Sequence, residues 1–147
     1  MEAKELMIGD WLFYRGQFNA FSFRVEQITK RKVGYHAEPD ESRTHYLTLS
    51  ECQPIPITPE ILEKNGWMKT KYAYGRDCME IHGTDELPEG IDNALSMARW
   101  SIDKNFQYHF LDLYMWKGSV MQHDVHYVHQ LQHAFKFFGI EKEITIY

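Results

Sequence analysis

The chain has 147 residues, 44% hydrophobic and 25% charged, with a formal net charge of −5. A chain of this size is one domain, or one domain of two packed lobes, and buries enough surface to be stable without a disulfide or metal staple. Its 16 basic and 21 acidic residues exclude the broad positive field of a non-specific nucleic-acid binder.

Residues 5–57 read as short strands. Leu6 to Tyr14 is apolar and broken by Gly9-Asp10. Phe21, Phe23 and Val25 alternate with Ser22, Arg24 and Glu26, the period of a half-buried strand. Lys30-Arg31-Lys32 forms a basic turn before a strand at Val33 to His36, and Glu38 to Ser42 is a loop. Thr44 to Leu47 is a further strand, and Leu49 to Cys52 is one helical turn before Pro54-Ile55-Pro56-Ile57. Five short strands with a single turn before the last predict a small SH3-like β-barrel lobe over residues 1–57.

Thr58-Pro59-Glu60 is a helix start, with a capping hydroxyl, proline at the first helical position and an acid in the first turn. Asn65-Gly66 ends that helix. Trp67 to Tyr74 and Asp77 to His82 are expected to pair across Gly75-Arg76, and the acidic stretch from Gly83 to Asn93 is a loop. Leu95 to Ile102 and Phe106 to Met115 are expected to form a hairpin turning at Lys104-Asn105. Asp124 caps a last helix over Val125 to Phe138, which Gly139 terminates, and Glu143 to Tyr147 closes the chain as a strand. The predicted class is α+β: the barrel lobe, then a lobe over 58–147 holding an antiparallel sheet with one C-terminal helix packed on it, the two forming one compact unit.

Three segments, in order, cover nearly the whole chain. The first is Glu5-Leu6-Met7-Ile8-Gly9-Asp10-Trp11. The second is Pro54-Ile55-Pro56-Ile57-Thr58-Pro59-Glu60 followed by Asn65-Gly66-Trp67. The third is Tyr127-Val128-His129-Gln130-Leu131-Gln132, with Phe135, Gly139 and Glu143-Ile144-Thr145-Ile146 after it. Together they resemble a family of uncharacterised proteins from gut Bacteroidetes, often found in phage-like or conjugative elements. The resemblance implies a shared fold and a phage or mobile-element context, and it brings no activity. The chain departs from the family at His133, where relatives often carry asparagine.

Four of the eight histidines lie between residues 123 and 133. At about 100° per residue, Val128, Leu131, Phe135 and Phe138 share one side of the last helix, while His126, His129 and His133 fall on the other. The histidines are therefore expected to face away from the core. Phe137 falls among them, and an aromatic ring on a polar face suggests a contact surface for a partner protein or a second copy of the chain; a loop or strand of the same fold covering the ring explains it equally. The same histidines are candidate metal ligands, because positions three and four apart on a helix can reach one ion. Gln130 stands where a zinc protease carries its general-base glutamate, which removes that hydrolytic chemistry. A solvated polar face is the plainer reading of the pattern.

Cys78, Glu80 and His82 alternate along one strand, but Cys78 and His82 are roughly 13 Å apart at strand rise, too far for one to activate the other. Cys52 and Cys78 make neither a disulfide framework nor a paired zinc motif. Phosphate-binding Gly-rich loops and serine elbows are missing from the sequence, so no cofactor is expected. The tripeptide Lys30, Arg31 and Lys32 is the one candidate for nucleic acid, which small barrels bind by stacking bases beside a basic groove; a solvated hairpin tip is the plainer reading, and a nucleic-acid partner is not expected. The opening residues lack a secretory pattern and no apolar run reaches the ~18–20 residues of a membrane span, so a cytoplasmic protein is expected. The sequence favours a non-catalytic interaction or accessory protein of a phage or mobile element. The alternatives are a metal-dependent enzyme using the histidines and a single-stranded nucleic-acid binder using the barrel.

Overall fold

The structure is a computed structural model that describes residues 1–71, 77–82, 95–102, 109–115, 120–137 and 142–147, with the backbone alone described from residue 70 to residue 124. It is a mixed α+β chain of two compact units. The first holds Met1–Pro56 with Tyr127–His129, and the second holds Ile57–His126 with Gln130–Tyr147.

In the first unit, β1 (Trp11–Arg15) pairs antiparallel with β2 (Ala20–Arg24), Leu12 opposite Phe23 and Tyr14 opposite Phe21. Two-residue alternation sends these four side chains to one face. That face is the core: Leu12 and Val25 are wholly buried, joined by Leu6, Phe23, Val33 and Cys52. The Gly9-Asp10 break is a turn that feeds β1. Gly9 takes φ +92°, a conformation that costs a side-chain-bearing residue about 1–2 kcal/mol. The wholly buried Asp10 accepts the Met7 N–H on Oδ2 at 2.7 Å.

A second sheet is built from β3 (Gln27–Ile28), β4 (Lys32–Tyr35) and β5 (His45–Thr48). The chain changes sheets at a corner. Val25 N–H donates to Asp10 O at 2.9 Å in the first sheet, and the next amide, Glu26, donates to Gly34 O at 2.8 Å in the second. A 3-10 turn at Leu49–Glu51, where one was expected, then leads into β6 (Cys52–Pro54), which returns to pair with β1. The sheet orders are β2-β1-β6 and β3-β4-β5, so the closed SH3-like barrel expected from the sequence is not formed among the described residues. The reason lies in the pairing: β2 and β6 both pair with β1, and no strand of that sheet pairs with β3, β4 or β5.

The second unit opens with α1 (Pro59–Lys64), whose N-cap Thr58 accepts the Ile61 N–H at 3.3 Å. Its exit is a Schellman motif: Trp67 N–H donates to Leu62 O and Gly66 N–H to Glu63 O, both at 3.0 Å, with Gly66 at φ +83°. An antiparallel five-stranded meander follows, in the order β11-β10-β9-β8-β7. Its strands are β7 (Met68–Lys71), β8 (Asp77–His82), β9 (Leu95–Ile102), β10 (His109–Met115) and β11 (Val120–Asp124). The expected pairings of β7 with β8 and of β9 with β10 are present. The turns proposed at Gly75-Arg76 and Lys104-Asn105, and the acidic loop at 83–93, lie outside the described residues.

The last helix, α2, runs Val128–Phe137 rather than from Val125, because residues 120–124 are spent on the unforeseen strand β11. Asp124 therefore belongs to a strand and does not cap the helix. In this unit Leu62, Trp67, Leu131, Phe135 and Ile144 are buried, and the rings of Trp67 and Phe135 stack 6.5 Å apart at 7°. Residues 142–147 form no strand, contrary to expectation. Among the described residues no helix is long and apolar enough to cross a membrane.

Candidate functional site

The candidate contact residues of α2 divide into inside and outside. His129 is buried, with 5% of its surface exposed, and its ring stacks on Tyr127 at 5.9 Å and 11°. This corrects the expectation that all three histidines face away from the core. The helix buries Val128, His129, Leu131, Gln132 and Phe135, a wider and rotated arc compared with the stripe of apolar residues. The helix entry explains the rotation. Val128 N–H donates to Ile55 O at 2.9 Å and Tyr127 forms an isolated antiparallel bridge with Pro56, so the first turn is tied down on a side that hydropathy does not mark.

His126 precedes the helix and is half-buried, and its N–H donates to Gln130 Oε1 at 2.8 Å. Gln130 thus reaches back over the helix start, a backbone-satisfying task for the residue that replaces a zinc protease's glutamate. His133 is half-buried, while Phe137 is 73% exposed. Because His126 lies outside the helix, the regular spacing that would gather the three imidazoles is broken. Among the described residues no group of three or more histidine, cysteine or acidic side chains is arranged to hold a metal ion.

The basic turn is a tightly determined structure. Thr29 N–H and Thr29 Oγ1 both donate to Lys32 O, at 2.9 and 3.0 Å, and Lys32 N–H donates back to Thr29 Oγ1 at 3.0 Å. Leu49 N–H donates to Arg31 O at 3.0 Å, tying the tip to the 3-10 turn before β6. Lys30, Arg31 and Lys32 are all exposed. Beside the tip is a depression of about 630 Å³ whose lining includes Lys4, Lys30 and Arg31 with Ala3, Thr48 and Leu49. Residues 4, 30–31 and 48–50 are distant in sequence, and the tripeptide was the only part of this group visible before folding.

Cys52 is inert in this setting. Its thiol is 6% exposed, donates to Thr48 O at 3.3 Å, and has its pKa pushed up to about 11 by burial and then by the neighbouring Glu51 carboxylate. Nucleophilic cysteines show the opposite shift. The side chains of Cys78, Glu80 and His82 lie outside the described residues.

No protein-family model, curated protein or solved structure matches the chain.

Proposed function

We propose that the chain is a non-catalytic interaction protein, an accessory component of a phage or other mobile element, whose partner is another protein. Its contact surface centres on Phe137 with His133 one turn away and His126 before the other end of the helix, and its N-terminal unit is an open variant of an SH3-like arrangement. The observation that supports this reading is the 73% exposure of a phenylalanine at the end of a helix whose other large apolar residues, Leu131 and Phe135, are 2% exposed. Covering the exposed part of that ring would gain part of the roughly 1.5–3 kcal/mol that full burial of a phenylalanine brings. The mobile-element context rests on the three segments that resemble the Bacteroidetes family.

The test compares wild type with Phe137→Ala by light scattering and by capture from host lysate, with bound proteins identified. Loss of a specific partner, or of a self-associated state, in the variant supports the proposal. Identical oligomeric state and identical captured proteins in both would overturn it.

A further inference from the structure

A different set of residues carries an inference about a second ligand. The tip at Lys30-Arg31-Lys32 puts three consecutive cations in solvent, and among the described residues none of them forms an ion pair. Of the nearby carboxylates, Glu2 is paired with Lys4 at 2.9 Å, Glu5 accepts the Glu2 N–H at 2.6 Å, and Glu51 is held by the N–H and hydroxyl of Thr48. These carboxylates keep their charge, but local hydrogen bonds and the Lys4 pair orient them, and none of them forms an ion pair with the tip. Mutual repulsion among three cations opposes such a cluster, and the four hydrogen bonds of the tip hold it in one conformation regardless. A rigid cluster of cations is pre-organised for an anion, since little ordering remains to be done on binding.

The depression adds what a bare hairpin tip lacks. Two of the three cations border a hollow of about 630 Å³ whose lining also holds Ala3 and Leu49 and the ion-paired Lys4 and Glu2. Cations at the edge suit phosphate oxygens, and an apolar wall suits a planar base. We propose that this depression binds single-stranded nucleic acid, the phosphates on Lys30 and Arg31 and a base against Leu49. A net charge of −5 keeps the affinity modest.

The test is fluorescence anisotropy of the full chain with a labelled oligothymidylate and an oligoadenylate of about 10 nucleotides, at 50 and 200 mM salt. Two to three neutralised phosphates predict a log–log salt slope of roughly −1.4 to −2.1, hence about a 7- to 18-fold loss of affinity over that range. The double variant Lys30→Glu/Arg31→Glu should abolish binding while leaving the circular dichroism spectrum unchanged, because both side chains are exposed. Lys64→Glu, a charge change of the same sign in the other unit, should reduce binding by less than about threefold. Inorganic phosphate, a phosphotyrosine peptide and anionic vesicles serve as alternative probes. Absence of oligonucleotide binding at 50 mM salt overturns the proposal, as does equal loss in Lys64→Glu, or binding confined to one of the alternative probes.

Discussion

Asn65 and Thr145, eighty residues apart, are joined by a reciprocal pair of hydrogen bonds: Asn65 Nδ2 donates to Thr145 O at 2.7 Å and Thr145 N–H donates to Asn65 Oδ1 at 2.8 Å. The side-chain amide stands in for one rung of a β-ladder. Asn65 Nδ2 also donates to Ile61 O at 2.7 Å, so the residue that ends α1 also holds the C-terminal segment. This is why residues 142–147 need no strand partner where they meet Asn65: an amide with one acceptor and two donors satisfies the backbone of Thr145 by itself.

Replacing that amide tests the clamp. Asn65 is only 8% exposed, and Asn65→Ala breaks three part-buried hydrogen bonds, which should cost about 1–2 kcal/mol in urea unfolding. Asn65→Asp keeps the acceptor but sets a carboxylate oxygen against two carbonyls, and should be no better than alanine. Amide exchange at Thr145 should accelerate in both. A loss below about 0.5 kcal/mol would show that the clamp is incidental.

The inside-outside division of α2 makes a second prediction. His129→Lys places a charge at a 5% exposed position and should destabilise by roughly 3 kcal/mol or more. His133→Lys, at a half-buried position, should cost clearly less, and Phe137→Asp should fall within about 0.5 kcal/mol of wild type, as exposed substitutions do. Thermal unfolding of the three variants checks the order. Equal costs at 129 and 133 would contradict the helix rotation.

Loop 36–44 should respond to acid. The Glu41 carboxyl lies below its ordinary value of 4.5, because His45 donates to it at 2.9 Å and the Ala37 N–H also bonds to it at 2.9 Å. A lowered folded-state pKa means that the contribution is present above the unfolded value near 4.5 and is lost as pH falls through the folded value. The Ala37 amide resonance should therefore show a step below about pH 4.5, and Glu41→Gln should remove that step.

Cys52 should be unreactive in the folded state. With a pKa of about 11, the thiolate fraction at pH 8 is on the order of 0.1%. In a Cys78→Ser background, labelling by a disulfide reagent at pH 8 should be more than tenfold slower in buffer than in denaturant. Rapid native labelling would show that the thiol is not sealed in the core of the first unit.

Signals that act over a few residues were legible before folding. Thr58-Pro59 and Asn65-Gly66 bracket α1 because a capping hydroxyl, a pre-set φ and a left-handed glycine are properties of neighbouring residues. The alternation of Phe21, Phe23 and Val25 marked β2, and the basic tripeptide marked a hairpin tip. The paired strands β7–β8 and β9–β10 were likewise visible as runs divided by turn residues.

What folding alone decided involves partners far apart in the chain. Hydropathy could find the apolar stripe of α2 but not its rotation, since the tie between Val128 and Ile55 that seats the first turn involves no apolar periodicity. It could not reveal that Asn65 replaces a strand for Thr145, nor that residues 4, 30–31 and 48–50 border one hollow. Local sequence determined the elements and their ends; the long-range hydrogen bonds, whose donors and acceptors look alike at every residue, decided which faces those elements present.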